Sequence, residues 1–446
     1  MADFLPVYIP AAVPTFHMGI AQDVFSATRD MLRRVQPDML CPDELLLSPE
    51  AITGFLAGRS PDAVIFQNVT FANAAYISEV LRLTDCPVLL WAVREPSVPG
   101  GRLCLNSLTG VYSAANACAQ IRGRAPGYIL GDPAETQTEQ AVTAFLNAAR
   151  LKKELHGMTV AAVGHTPQGF GFGQGSDTEL LRLFGTRLIT AEARELIRAA
   201  QACTDEDAKP FLLRSEQRMT AFDATPAENR LAHARLYKAY SDFIRKNNVG
   251  ALASRCWPDY FTDYGTPVCA VLSLLNDDGV ACSCETDLNG ALSMKLGMLL
   301  CGGAVFFGDP AAIDENENTM TFWHCGMAPC SMARTDTGAV TGVHPNRKIG
   351  PAMDFACRPF DGITLFRIDR KSDGRCVFFL AEGTAPDAPK RFIGTSITVR
   401  PDASARAVAD TCIRNGLAPH YAVIPGRHAA PLRALADMLG IDVISV

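Results

Sequence analysis

Residues 277–310 read DDGVACSCETDLNGALSMKLGMLLCGGAVFFGDP, and after a short linker residues 319–329 read TMTFWHCGMAP. The run 279–284 is short, apolar and of strand type, and Glu285 ends it. From 288 to 300 the apolar residues fall at helical spacing, with Thr286 or Asp287 placed to cap the first turn. Cys301-Gly302-Gly303 stops that helix, and 304–307 is a second apolar strand closed by Gly308-Asp309-Pro310. The pattern predicts a βαβ unit with parallel, neighbouring strands. Such strands lie roughly 4.8 Å apart, so Glu285 and Asp309 at their carboxyl ends would meet at one point. His324 ends a third apolar run, 319–323.

Two carboxylates and an imidazole at the ends of successive elements suit a divalent metal with mainly oxygen ligands, Mn²⁺ or Mg²⁺ before Zn²⁺. The plainer reading is that Glu285 and Asp309 cap their turns and that His324 is a satisfied core residue. The carboxyl edge of an open α/β sheet is where ligands bind, which keeps the metal reading in play.

The chain of 446 residues is long enough for two to four domains with sizeable cores. With 48% hydrophobic and 20% charged residues it has the composition of a globular enzyme and not of a disordered chain. A net charge of −6 argues against a general nucleic-acid or membrane-surface role, and no zinc-finger or RNP pattern occurs. No apolar run approaches the ~20 residues of a membrane helix. The first residues, MADFLPVYIPAAVPTF, lack the basic start of a secretory signal. Fifteen cysteines scattered through apolar runs fit reduced, buried thiols, and a cytoplasmic location is expected. Neither Cys282-x-Cys284 nor Cys325-x4-Cys330 has a second pair to complete a metal site.

Taken in order, strand-type runs at 4–13, 63–66 and 87–93 alternate with helical patterns at 17–35, 72–83 and 111–121. This predicts a first Rossmann-like, doubly wound parallel domain over 1–125. A second α/β domain of the same kind is predicted over 126–330, with a helix at 136–155 and a strand at 158–163. That strand runs into the glycine-rich loop 164–185, which matches no phosphate-binding motif and reads as backbone placed close to a small polar ligand. Beyond 330 the pattern turns to short β runs at 362–368, 376–382 and 395–399, predicting a mostly β, barrel-like C-terminal domain over 331–446.

RCWPDYF (255–261), the run 271–294, FFGDP (306–310), TFWHCGMAPCSMA (321–333), PQGF with DTELLRLFG (167–185) and HYAVIPG (420–426) together resemble the L-fucose isomerase/L-arabinose isomerase superfamily. The resemblance is distributed over 155–446, and for the first 125 residues it is architectural. It implies an enzyme that converts an open-chain aldose to its ketose through a cis-enediol, with a divalent metal: Mn²⁺, or Mg²⁺ or Co²⁺ in its place. Carried over by position, Glu285 and Asp309 are both metal ligands and the proton-transferring pair. His420 is the C-terminal ligand, and His324 ligates in the arabinose branch. Many relatives have His-His where this chain has Pro419-His420, so contacts made by the first imidazole are in doubt. Arg255, Trp257, Tyr260 and Gln168 are candidates for substrate hydroxyls, although Arg255 and Trp257 serve equally well as a structural pair. The substrate could be L-fucose, D-arabinose, L-arabinose or a C6-modified hexose such as sulfoquinovose. An anionic C6 group would want His17, His165, His344 or Arg347. Relatives assemble as trimers to hexamers, so a homo-oligomer with its site near a subunit interface is expected. A metal-dependent hydrolase or aldolase on a sugar derivative, or a sugar-binding protein without chemistry, stays as an alternative.

Overall fold

The computed structural model describes residues 4–96 and 101–446. The chain separates into two compact units, one running to Glu154 and taking back Ala430–Gly440, the other Leu155–Ala429 with Ile441–Val446. The first break therefore falls some thirty residues later than the sequence pattern suggests. The cause is that the strand Tyr128–Leu130 joins the first sheet and the helix Thr136–Leu155 covers one face of it.

In the first unit β1 (Pro6–Ala11), β2 (Ala63–Asn68), β3 (Val88–Ala92) and β4 (Tyr128–Leu130) are parallel, in that spatial order. The first three are buried at every residue, which is why PVYIPA and VLLWA are continuous apolar runs without alternation. Val7, Ile9, Val64, Phe66 and Leu90 face one apolar layer, and Tyr8, Ile65, Leu89 and Trp91 face the other. Helices cover both faces. Residues 40–46 run parallel along the free edge of β1, bridging Val7 to Leu40 and Ala11 to Leu46, so the order reverses between β1 and β2 as in a doubly wound sheet.

The second unit holds β5 (Thr159–Val163), β6 (Arg187–Ala191), β7 (Val249–Ser254) and β8 (Ala281–Cys284), parallel in the order β6-β5-β7-β8. Here the order reverses between β5 and β7. Next come β9 (Phe306–Asp314), β10 (Thr319–His324) and the two-stranded pair β11 (Thr341–Gly342) and β12 (Ala352–Met353). They are followed by β13 (Phe360–Arg370), β14 (Cys376–Ala385), β15 (Thr395–Pro401), β16 (Tyr421–Pro425) and β17 (Asp442–Ser445). A mixed sheet runs β13-β16-β9-β10-β15-β14-β17, with β13 also paired to β14 and only β14–β17 parallel.

One expectation is corrected here. β8 and β9 are not parallel neighbours: β8 edges the parallel sheet, while β9 pairs antiparallel with β10 and β16. The helix between them, Leu288–Cys301, explains the change. It is apolar nearly all round and buried from Leu288 to Met294, so it packs between the two sheets instead of returning to the first. All fifteen cysteines are free, and no helix among the described residues is long and apolar enough to cross a membrane.

Candidate active site

β8 ends in a strained turn. Glu285 and Thr286 both take left-handed backbone conformations, φ 57° and 56°, a region that β-branched Thr rarely visits. Each such residue costs about 1–3 kcal/mol and persists only where its surroundings fix it. The Thr286 N–H donates to Ser254 O at the end of β7, and the Asp287 N–H donates to Cys284 O. The glycine-rich loop backs the turn from outside. A side chain at Gly173 would lie 3.0 Å from the Asp287 Cα and 3.2 Å from Thr286 O, so only glycine permits this approach.

The turn divides two acids between two tasks. Asp287 caps the helix Leu288–Cys301, with Oδ1 accepting from the Gly290 N–H at 2.8 Å. Its Oδ2 accepts from Arg367 Nη1 at 2.9 Å and contacts His420 Nδ1 at 2.9 Å. Arg367, wholly buried on β13, also donates from Nε to Asp369 at 3.0 Å and from Nη1 to His420 O at 2.8 Å. Burial opposes the Asp287 charge, but the Arg367 guanidinium and His420 hold its carboxyl well below the usual range. His420 is thereby fixed at both its ring and its carbonyl.

On the other side of that ring, His420 Nε2 lies 3.1 Å from Glu285 Oε2 and 3.4 Å from Asp309 Oδ1. Burial would lower the His420 pKa, yet the bonds to Asp287 and Glu285 raise it to about 9. Glu285 also accepts from Trp257 Nε1 at 3.3 Å. Burial works against its charge too, and the His420 bond, the neighbouring imidazoles and the indole N–H bring its pKa below the ordinary value. His324, buried at the end of β10, offers a ligand atom within 4.8 Å of those of Glu285 and His420. Burial lowers its pKa against the pull of Asp309 and Glu285. The Cys325 N–H donates to His324 Nδ1 at 2.9 Å. Two carboxylates, Asp287 and Asp369, thus flank the buried Arg367, and two more, Glu285 and Asp309, meet the far nitrogen of His420.

A cavity of about 240 Å³ reaches this group at Glu285 and His324 and is further lined by Phe170, Trp257, His344 and Arg347 with cysteines beneath, His420 and Asp309 standing behind that lining. A larger one, about 490 Å³ in the first unit, is lined mainly by apolar residues and has no imidazole. Of the residues singled out from sequence, Glu285, Asp309, His324, His420 and Trp257 come together. Arg255 stands behind Trp257: its Nε donates to the Trp257 carbonyl at 3.1 Å and lies 2.6 Å from Asp259, and Nη1 meets His165. Tyr260 is fully buried, its hydroxyl sharing a hydrogen bond with Tyr240, and lines no part of the cavity. Gln168 is exposed in the loop and also outside the lining. His17, in the first unit, caps the helix Met18–Val35 by accepting from Ile20 N.

Sequence reasoning missed four contributors. Asp287 reads as a cap and is one, which conceals its second oxygen. Arg367 and Asp369 show only as charges two apart in the apolar strand around FRIDR, a spacing that puts both on one face. Phe172 stacks edge-on against His420 with centroids 5.2 Å apart, and nothing local marks it.

No family model matches the chain. Individual proteins do. It is 49% identical over 442 residues to the sulfoquinovose isomerase of Clostridium sp. (strain MSTE9), covering 99% of each chain. The sulfoquinovose isomerases of Alkalicoccus urumqiensis and Priestia aryabhattai are 32% and 33% identical, over 99% and 98% of both chains. With that identity along essentially its whole length, this chain belongs to the sulfoquinovose isomerase family and is an aldose–ketose sugar isomerase.

Proposed function

We propose that this chain interconverts sulfoquinovose, an aldohexose carrying a sulfonate at C6, and the corresponding 2-ketose. The observation that carries the reading is the meeting of Glu285 Oε2 and Asp309 Oδ1 at His420 Nε2, with the far nitrogen of that ring locked by Asp287. Isomerisation takes the proton from C2, returns one to C1, and moves a proton from O2 to O1. A carboxylate can do each of these jobs, provided one is close to the carbon and one to the oxygens. Glu285 and Asp309 share the work, and Asp309, about one-third exposed at 36%, is the more open of the two. The Trp257 indole holds the other Glu285 oxygen, so that carboxylate cannot swing away from the sugar.

The donor set fits a divalent ion. Two carboxylates and an imidazole oriented from behind by a third carboxylate form a hard oxygen–nitrogen site of the kind that Mn²⁺, Mg²⁺ or Co²⁺ takes. Glu285, Asp309 and His420 would hold it, and a bound ion would supply Lewis-acid stabilisation of the charge developing on the two sugar oxygens. His324 would join those three: it offers a ligand atom within 4.8 Å of those of Glu285 and His420, and its Nδ1 accepts the Cys325 N–H. The resemblance to the L-fucose isomerase/L-arabinose isomerase superfamily, with its open-chain substrates, supports the same chemistry. Fifteen free thiols suit a cytoplasmic setting, and a homo-oligomer is part of the same reading.

The test is ketose formation from sulfoquinovose, L-fucose, D-arabinose and L-arabinose by metal-stripped protein, with and without Mn²⁺. Ion-dependent ketose from sulfoquinovose alone is the expected result. No ketose from sulfoquinovose with Mn²⁺, Mg²⁺ or Co²⁺ would overturn the proposal.

A further inference from the structure

A sulfonate is a permanent tetrahedral anion, and its recognition calls for a cation that the protein has not already neutralised. The second unit has several arginines around its site. Arg367 is taken by Asp287 and Asp369, and Arg370 by Glu179. Arg255 is paired with Asp259. Arg347 differs from all of them: it lines the cavity, it is exposed, and among the described residues it has no carboxylate partner. It is also the one permanently charged cation among the described residues of that lining.

The loop that carries it is built to hold it. β11 and β12 pair at its base, Thr341 with Met353 and Gly342 with Ala352. Inside the loop the His344 N–H donates to Ile349 O, and the Lys348 N–H donates to His344 O. The backbone N–H groups of Asn346 and Arg347 both point to His344 Nδ1, at 3.3 Å. The His344 ring is itself buried edge-on against Phe261, with centroids 5.0 Å apart. The Arg347 guanidinium then lies 5.9 Å from the centre of the Trp257 ring and 6.0 Å from that of Phe261. Trp257 is the same side chain whose Nε1 reaches Glu285. One indole thus links the carboxylate that works on C1 and C2 to an unpaired guanidinium.

We infer that Arg347 is the specificity residue for the charged end of the substrate, donating its N–H fork to the C6 sulfonate while C1 and C2 lie against Glu285 and Asp309. The inference rests on the isomerase reading given above and adds the residue that reads the anion. A guanidinium on an aromatic platform is pre-positioned, and its planar fork matches two oxygens at once. Lysine would keep the charge and lose the fork.

Steady-state ketose formation by holoenzyme, with sulfoquinovose and with D-glucose as the neutral analogue, tests this. The pair is backed by inhibition with the corresponding C1-reduced alditols, with and without the sulfonate. Arg347→Gln should lower kcat/KM for sulfoquinovose about 10- to 100-fold, mostly through KM, and weaken the sulfonated alditol equally. Constants for the neutral compounds should stay within about twofold of wild type, and Arg347→Lys should fall between. If Arg347→Gln keeps the wild-type preference for sulfonated over neutral compounds, the inference is wrong. That holds even when all constants drop together, since such a drop would mark a structural prop for Trp257. If wild-type protein itself shows no such preference, the substrate reading fails first and this inference goes with it.

Discussion

Glu95 follows β3 of the first parallel sheet, and Glu285 follows β8 of the second. By position in sequence they are the same kind of residue: an acid just past a buried strand. Their partners differ completely. Glu95 turns its carboxylate onto its own loop, accepting from the backbone N–H groups of Cys104, Leu105 and Asn106. Glu285 receives no backbone donor among the described contacts and faces an imidazole and an indole. Both sheets reverse their strand order, so the difference lies in what fills the edge. In the first, the polar side chains are spent on one another: Tyr8 donates to Gln67, Gln67 to Thr28, and Asn68 to Ala72 O. With β6-β5-β7-β8 two crossovers leave in opposite directions, and a crevice opens where their loops part. An acid at a strand end is chemistry or carpentry according to what the topology brings opposite it.

The largest effect should come from testing that contrast at Glu285. Glu285→Gln keeps the shape and the bond from Trp257 but removes a base and a negative charge. Ketose formation should fall by at least about 10³-fold, with far-UV circular dichroism unchanged. Turnover within tenfold of wild type would show that the meeting of the two acids at His420 is incidental.

The buried pairs behind the site rank next. Arg367→Met would leave Asp287 and Asp369 without their cation inside the protein. Breaking one side of a buried ion network costs about 3–5 kcal/mol, and denaturant unfolding should register it. His420 would lose its carbonyl partner as well, so activity should fall with stability. A variant as stable as wild type would mean that the cluster is solvated in a way its burial does not suggest.

These pairs also show where sequence reading stops. The helices Thr136–Leu155 and Leu288–Cys301 were legible to within a residue, the first from a sustained apolar period of 3.6, the second from its length, its Asp287 cap and its Gly302-Gly303 stop. Glu285 and His324 were legible as an acid and an imidazole at element ends. Asp309 was legible as an acid but not by its place: the strand does not close at Gly308-Asp309-Pro310, and β9 runs on to Asp314 with Asp309 paired to Trp323. Arg367 was not, since its partner Asp287 lies 80 residues away and no local pattern announces the pairing. β8 and β9 looked like neighbours for another reason. The signal was in the helix itself: Leu288–Cys301 is apolar nearly all round, the mark of burial on every side, where a helix over a single sheet carries one apolar stripe. Tyr260 went the other way: its motif suggested a sugar contact, and packing had already committed its hydroxyl to Tyr240.

Two buried imidazoles of the second unit part company in the same manner. His420, among acids, is raised to about 9, whereas His233, fully buried with only Ser215 at its Nε2, is lowered to about 3 by burial alone. Below the ordinary histidine value of 6.5 the unfolded chain takes up a proton at this position and the folded chain does not until about pH 3. Stability therefore falls as pH drops through that window, by up to about 1.4 kcal/mol per unit for this one proton. Above pH 6.5 both states are neutral and the residue contributes no slope. His233→Gln should flatten the loss between pH 6 and 4 in chemical unfolding experiments. An unchanged slope there would assign the acid lability to other groups.

The smallest effect is expected at Glu95. Glu95→Gln leaves an amide oxygen that can still accept from the loop, so only the charge-assisted part of two or three hydrogen bonds is lost. That part is about 1 kcal/mol, or about 2–4 °C in the melting of a unit of this size. kcat and KM for the sugar should be unchanged, because nothing at this edge resembles the donor set at Glu285. Should Glu95→Gln cut turnover tenfold while melting normally, the first sheet's edge would have a part in catalysis that its closed hydrogen bonding conceals. The contrast between the two strand-end glutamates would then be one of degree.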